Sequence, residues 1–520
     1  ANSGIETIAI DVEEGNATQL KFAGNATVKN IVVTGAGDLT IGISPGLGDE
    51  MAKVELFDAS AATGDITWTT GELEKAATIL GGAGDDSFTL NGSKAFTVDT
   101  GAGDDKIDIT KGAASNKLNV QAGDGDDVVT LSGAKLATSD VIDGGEGTDT
   151  IAISGSAIPR TEGDFIMLNS LLKNFETLSF TSNEGADPLV GAFDASKLSA
   201  NYTTLEFAAG TSYVTNVGTQ ALVTHGNLFA RAEGFVAPGE GIPPATEITY
   251  AGSLDITVES SNGGPLISAV TAGAESVELN VEASKGDVTA TLLGFAKTAE
   301  VTLTQGVNNG GTKGDTSDDT FYSANFTLAT APANLQDLES LTLSGNGSAV
   351  VTNTVLTKLA TVDASGLNSV DINGDPAQGL TYISTNLDAE TVILGDGLDF
   401  VSLTASFYGA VNARTFDTIE GLNLVVKAGV LDHEQSDSLL VAGVVNAQIF
   451  TTTQTDLDLA LTDAAAEHSG GAVVFHLGGD TYIYSDITGT TAGVVDATDT
   501  LVKLVGTIDL DDLLVALEPL

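Results

Sequence analysis

The chain has no cysteine among its 520 residues, which rules out disulfide bonds and thiol chemistry. Basic residues are scarce: 20 Lys plus Arg stand against 71 Asp plus Glu, a formal net charge of −51. That balance excludes nucleic acid as a natural partner, because its phosphates need the opposite sign, and an anionic membrane or glycan is repelled unless divalent cations bridge. There is no apolar run of about 18 residues, so direct membrane insertion by a helix is not expected. The first residues, Ala1-Asn-Ser-Gly-Ile-Glu6, lack the basic and apolar regions of a Sec signal.

Catalytic constellations are missing as well. His225, His433, His468 and His476 have no metal-ligand spacing, and His433-Glu-Gln-Ser-Asp437 lacks the second histidine of H-E-x-x-H. Gly42-Ile-Ser-Pro-Gly46 fits the letters of G-x-S-x-G, a match expected by chance in a chain with 61 glycines, and no strand-elbow-helix pattern surrounds Ser44. The chain is therefore not expected to be an enzyme. Trp68, Tyr482 and Tyr484 read as core or interface aromatics.

What is abundant is glycine beside aspartate. Four copies of one pattern occur: Gly81-Gly-Ala-Gly-Asp-Asp-Ser-Phe-Thr89, Thr100-Gly-Ala-Gly-Asp-Asp-Lys-Ile-Asp108, Ala122-Gly-Asp-Gly-Asp-Asp-Val-Val-Thr130 and Gly144-Gly-Glu-Gly-Thr-Asp-Thr-Ile-Ala152. The first and last match the nonapeptide G-G-x-G-x-D-x-U-x, U being a large apolar residue, and the middle two lose only the first glycine. Aspartate is invariant at the sixth position (Asp86, Asp105, Asp127, Asp149) and an apolar residue at the eighth (Phe88, Ile107, Val129, Ile151). Glycines allow tight turns that point carbonyl oxygens at one centre, and carbonyls plus a carboxylate make the all-oxygen shell that suits Ca²⁺. The apolar eighth residue starts an inward-facing strand.

The aspartates recur at intervals of 19, 22 and 22 residues, about one coil of a two-stranded solenoid. A second apolar ladder, Ile79, Val98, Val120 and Ile142, precedes the loops. The opposite turns, Asn91-Gly-Ser-Lys94, Lys111-Gly112 and Ser132-Gly-Ala-Lys135, have no clustered acids, so calcium is expected on one edge only. Two later segments echo the chemistry: Gly395-Asp-Gly-Leu-Asp-Phe-Val401, with Asp396 and Asp399, and Gly314-Asp-Thr-Ser-Asp-Asp-Thr-Phe321, with Asp315, Asp318 and Asp319.

Elsewhere the sequence reads as short strands rich in Thr, Val, Leu and Ile between Gly, Asn and Asp, with a mean hydropathy of +0.17 that supplies a core. One repeat is Asp-Ala-Ser after an apolar residue: Phe57-Asp-Ala-Ser60, Phe193-Asp-Ala-Ser196 and Val362-Asp-Ala-Ser365. Another is x-Glu-x-apolar-x-apolar, as in Ile5-Glu-Thr-Ile-Ala-Ile10, Phe175-Glu-Thr-Leu-Ser-Phe180, Leu338-Glu-Ser-Leu-Thr-Leu343 and Ile419-Glu-Gly-Leu-Asn-Leu424. The best helix candidates are Gly163 to Lys173 and Asp509 to Leu517. Pro238-Gly-Glu-Gly-Ile-Pro-Pro244 is the clearest linker.

The expectation is thus an all-β, multi-domain protein: a β-solenoid or β-roll with calcium coils plus β-sandwich-like modules, and very little helix. Its expected divisions are an N-terminal strand-repeat module (1–75), the calcium roll (76–156), a module with the Asp-Ala-Ser repeat (157–237), solenoid or sandwich modules with degenerate calcium loops (238–440) and a C-terminal module (441–520).

The nonapeptide loops resemble the RTX (repeats-in-toxin) calcium β-roll, in which the ion sits between loops of successive coils. By that resemblance the ligand-bearing positions are Gly82, Gly84, Asp86, Gly101, Gly103, Asp105, Gly123, Gly125, Asp127, Gly145, Gly147 and Asp149. With the Asp-Ala-Ser strands, the 314–321 segment and the absence of cysteine, the chain resembles RTX-type surface-layer proteins of Gram-negative bacteria. Gly478-Gly-Asp-Thr-Tyr-Ile-Tyr-Ser-Asp486, Asp499-Thr-Leu-Val-Lys-Leu-Val-Gly506 and the acidic-apolar tail to Leu520 are similar to the uncleaved end of type I secreted proteins. The resemblance implies a secreted, extracellular protein on the bacterial cell surface, several structural Ca²⁺ ions, and copies of itself as partners in a lattice. Family members also carry a lipopolysaccharide-binding anchor, which no segment here is assigned to. An RTX-type calcium-stabilised adhesin is the alternative; the drifted, heterogeneous repeats favour the lattice.

Overall fold

The computed structural model describes residues 4–15, 17–22, 27–43, 51–92, 94–113, 116–133, 136–154, 159, 161–181, 193–208, 210–237, 247–260, 264–308, 319–329, 335, 337–371, 373–386, 388–403, 416–486, 494–495 and 499–517. The chain divides into two compact units, Ala1–Thr215 with Thr219–Val223, and Thr224–Leu520 with Asn216–Gly218. Both are all-β and built from parallel coils.

In the first unit successive strands alternate between two parallel ladders. One ladder runs Thr7–Val12, Asn30–Gly35, Leu56–Ala62, Ala77–Leu80, Phe96–Asp99, Leu118–Asp124, Val141–Glu146 and Leu172–Lys173. The other runs Ala17–Phe22, Asp38–Ile43, Ile66–Leu73, Ser87–Gly92, Lys106–Lys111, Val128–Gly133, Thr150–Ile153, Thr177–Phe180 and Thr204–Phe207. Alternation of side chains along each strand puts every second residue between the ladders. The expected apolar column is longer than the four nonapeptides: Ile41, Trp68, Phe88, Ile107, Val129, Ile151, Leu178 and Leu205 stand in register and are buried. Facing it, Ile31, Phe57, Ile79, Val98, Val120, Ile142 and Leu172 form the second. Each such side chain contributes about 1.5–3 kcal/mol when fully buried. Trp68 stacks on Phe57 with ring centroids 4.5 Å apart, so this aromatic belongs to the core. The 75/76 and 156/157 borders expected for the roll fall inside these continuous ladders.

The second unit repeats the plan in the region expected to hold solenoid or sandwich modules. One ladder includes Asn227–Ala232, Leu266–Gly273, Val288–Phe295, Ala324–Ala329, Ser348–Asn353, Gln378–Ser384, Leu398–Leu403 and Ser438–Val441. The other includes Ser253–Glu259, Ser276–Ala283, Thr298–Asn308, Ser340–Gly345, Thr361–Leu367, Thr391–Ile393, Asp417–Glu420 and Thr500–Leu504. At its C-terminal end the pattern changes to antiparallel, with Ala472–Leu477, Asp480–Ser485 and Thr500–Leu504 side by side. Tyr482 and Tyr484 are buried there. The linker expected at 238–244 and Ser44 lie outside the described residues.

Three α-helices occur among the described residues. Helix α1 (Glu162–Leu171) starts at a capping box between Thr161 and Asp164 and buries Phe165, Leu168 and Leu171, as its sequence spacing predicts; Leu172, expected on the same helical face, instead opens the strand Leu172–Lys173. Helix α3 (Leu510–Ala516) starts at the N-cap Asp509, also as expected. Helix α2 (Leu457–Glu467) was not anticipated from sequence; the Asp456 cap and the apolar spacing Leu457, Ala460, Leu461, Ala464 were its signal. Its alanines pack on Phe450, Val473, Phe475 and Tyr484.

The Asp-Ala-Ser repeat has a single structural meaning in the two long strands that carry it. Val32 pairs with Asp58 and Thr34 with Ala61, while Thr342 pairs with Asp363 and Ser344 with Gly366, so each repeat inserts a β-bulge. In all three copies the aspartate Oδ1 accepts from the serine backbone N–H and hydroxyl: Ser60 (3.2 and 2.6 Å), Ser196 (3.3 and 2.7 Å) and Ser365 (3.0 and 2.6 Å). The intervening Ala59, Ala195 and Ala364 are buried.

Candidate metal centre

The four glycine-aspartate loops lie at one edge of the first unit, between the strands of one ladder and the next strands of the other. Their sixth-position aspartates form a buried ladder of carboxylates linked coil to coil. Asp86 Oδ1 accepts the Ile66 N–H (2.8 Å), Asp105 Oδ1 that of Asp86 (2.7 Å), Asp127 Oδ1 that of Asp105 (2.8 Å) and Asp149 Oδ1 that of Asp127 (2.8 Å). Glu176 continues the series, its Oε2 accepting the Asp149 N–H at 2.8 Å.

The second oxygens separate one loop from the other three. Asp86 Oδ2 accepts the Gly82 N–H (2.9 Å). The Oδ2 atoms of Asp105, Asp127 and Asp149 are buried and accept no hydrogen bond. Thr100 stands near Asp105, but its hydroxyl donates to the Ala122 carbonyl, so its proton is already engaged. All four aspartates are 1% exposed or less. A carboxylate oxygen sealed from water without a partner is costly, and a cation is the ligand that such an atom accepts.

Burial is the main reason their carboxyls hold protons more tightly than an ordinary aspartate. Asp86 is pushed up to about 6 and Asp105 and Asp127 to about 7, with neighbouring aspartates adding repulsion. Asp149 is also raised, by burial first and then by Glu176, Asp126 and Asp143.

A second, exposed ladder runs beside the first, which the sequence reading missed because it singled out only the sixth position. Asp65 Oδ1 accepts the Asp85 N–H (2.9 Å), Asp85 that of Asp104 (2.9 Å), Asp104 that of Asp126 (2.9 Å) and Asp126 that of Thr148 (2.7 Å). Here each carboxylate reaches forward to the next coil, whereas the buried ones reach back to the preceding coil. Adjacent coils are therefore held in both directions along one edge. Glu176 was also missed as a ladder member: it was read only as part of a strand repeat.

The glycines let the loops stack. Gly101, Gly103, Gly123, Gly125, Gly145 and Gly147 all have positive φ. A Cβ on Gly123 would run into the Gly101 carbonyl, and one on Gly145 into the Gly123 carbonyl. Gly82 and Gly84 have ordinary φ, but there too a Cβ would collide with the backbone of the preceding coil, at Ala62 and Gly64. Among the described residues no three His, Cys, Asp or Glu side chains converge on one point. An ion at this edge would thus be held by one or two carboxylates together with backbone carbonyls, a hard all-oxygen set that suits Ca²⁺.

The opposite turns of the roll show no aspartate ladder among the described residues. Asn91 is fixed there by Thr70, its N–H bonding the hydroxyl (2.9 Å) and its side-chain amide the carbonyl (3.1 Å). Asp140 accepts the Leu118 and Ala137 N–H groups with its two oxygens (3.0 and 2.8 Å).

In the second unit Asp399 repeats the arrangement of Asp86. Its Oδ1 accepts the Leu380 N–H (2.6 Å) and its Oδ2 the Gly395 N–H (3.1 Å). Asp437, unremarked in the sequence, is the next step, accepting the Asp399 and Asn423 N–H groups at 2.9 and 2.7 Å. Both carboxylates are occupied by backbone donors, and Asp396 is exposed beside them. Asp319 has a buried oxygen without a hydrogen-bond partner, while Asp315 and Asp318 lie outside the described residues. His225, half-buried in a bend, and His476, exposed on a strand, bond the carbonyls of Glu259 and Ile508 (2.8 Å each). No protein-family model and no curated protein matches the chain.

Proposed function

We propose that this chain is a calcium-stabilised structural protein of the bacterial cell surface, exported by type I secretion, that assembles with copies of itself into a two-dimensional surface layer. The observation that carries the reading is the row of three buried carboxylate oxygens, on Asp105, Asp127 and Asp149, left without partners along a glycine-lined edge. Those residues, with the carbonyls of the glycine loops, would hold the ions; bound Ca²⁺ would supply the charge that lets the carboxylates stay ionised at neutral pH. Extracellular sites of this kind bind at roughly 10⁻⁴–10⁻³ M, so the roll would stay open in a calcium-poor cytoplasm and close outside the cell.

A net charge of −51 opposes packing of copies edge to edge, and divalent cations relieve that repulsion far better than monovalent salt. The absence of any catalytic constellation in the sequence suits a structural role. Electron microscopy of the full chain tests the reading. Ordered sheets are expected with millimolar Ca²⁺ and are expected to dissolve on chelation. Isolated particles at every calcium concentration would overturn the lattice and favour an adhesin.

A further inference from the structure

The two faces of the second unit differ in a way that the calcium chemistry does not explain. The ladder from Ser253–Glu259 onward is acidic on its outer side, where Asp255, Glu278 and Glu300 sit in register on three consecutive exposed rungs. The facing ladder, from Asn227–Ala232 to Ser438–Val441, is almost free of charge. Its eight strands contain two charged residues, Arg231 at one border and Asp399, whose side chain is buried. The outer side instead presents threonines and large apolar groups, among them Ile267 (79% exposed), Leu440 (52%) and Val350 (39%). No described helix packs across it.

We infer that this uncharged face is a self-association surface, on which a second copy of the chain docks face to face about a two-fold axis. Charge selects the occupant. In a chain with 71 acidic and 20 basic residues, copies repel wherever acidic faces meet, and a face without charge is where repulsion is least. Four exposed large apolar side chains, Phe229, Ile267, Val350 and Leu440, stand among the hydroxyl-bearing residues of this face, and a docked copy would remove them from water. Its size also fits: eight strands ~4.8 Å apart and ~15–20 Å long give ~600–800 Å² per copy, or ~1,200–1,600 Å² in total, within the range of stable protein interfaces. A two-fold contact presents the same patch from both partners, so no second complementary surface is needed.

This inference does not depend on the calcium lattice, since the face lies in the second unit and carries no ladder of partnerless carboxylates. The test is the mass of the full chain by sedimentation velocity, in chelator and in calcium, with Val350→Glu and Ile267→Glu as variants and Thr302→Glu on the acidic face as control. Wild type and control should be dimers in both conditions, held more tightly in sulfate-rich buffer. The two face variants should dimerise at least ~100-fold more weakly, because each places two uncompensated charges in one interface. Their circular dichroism should be unchanged, since both positions point outward.

A single-cysteine variant gives an independent reading, as the chain has no native cysteine. Val350→Cys should be cross-linked between copies by a short bis-maleimide, and Glu278→Cys should not. A monomeric wild type, or cross-linking confined to Glu278→Cys, would overturn the inference. Dimers without sheets would leave it standing and refute the lattice; sheets formed undiminished by Val350→Glu would do the reverse.

Discussion

At Asp105, Asp127 and Asp149 one carboxylate oxygen is committed to the neighbouring coil and the other has no protein partner. The two oxygens can be separated by mutation. Asp127→Asn keeps an oxygen to accept the Asp105 N–H and removes the charge. Without calcium the variant should melt at or above the wild type, because a buried charge has gone. With calcium it should gain about 1–3 kcal/mol less than the wild type, having lost a charged oxygen ligand. Thermal melts at both conditions check this, and an equal calcium gain in the two proteins would count against a metal at this rung. Asp86 and Asp399, whose oxygens are both occupied by backbone donors, behave differently: they are parts of the coil first.

At the scale of the element, the buried carboxylates titrate as a stack. An acid raised by burial binds its proton more tightly folded than unfolded. Its contribution to stability is complete below the unfolded value, about 4 for aspartate, and is lost as pH rises through the folded value. For Asp86, Asp105 and Asp127 that loss falls between about 4 and about 6 to 7. The metal-free roll should therefore become less stable as pH rises from 4 to 8, the opposite of ordinary acid denaturation. Calcium competes with these protons, so the calcium-loaded roll should lose stability as pH falls through the same range. Denaturant unfolding at several pH values, with chelator and with calcium, would show the two trends crossing; parallel trends would contradict proton-calcium competition at this edge.

At the scale of the whole molecule, the two units differ in what they need. The first carries the buried ladder with three partnerless oxygens. In the second, the stacked pair Asp399 and Asp437 is satisfied by backbone donors, Asp319 keeps one buried oxygen without a hydrogen-bond partner, and the C-terminal end is built on Phe475, Tyr484 and helix α2. Chelation should accordingly open the first unit and leave the second folded. Limited proteolysis in chelator should cut within 81–152 and leave a resistant fragment starting near residue 224, read by mass spectrometry. Protection of both units, or digestion of both at one rate, would show that calcium does not discriminate between them.

The repeating part of this protein is legible residue by residue along the chain. Glycine at the second and fourth positions, aspartate at the sixth and an apolar residue at the eighth are local demands: a tight turn, an acceptor for the neighbouring coil and an anchor in the core. They could be read from Gly81 to Ala152, and so could helix α1 from its apolar spacing and helix α3 from the stretch Asp509 to Leu517. Which aspartates keep an oxygen without a protein donor follows from how the coils pack. Asp86 and Asp127 occupy the same place in the motif, yet Gly82 donates to one, while the other's Oδ2 receives no hydrogen bond. That difference depends on the backbone around each loop, which the motif does not specify. The uncharged face of the second unit was equally hidden, because its residues are scattered singly through eight strands and become one surface only when the ladder brings them into register.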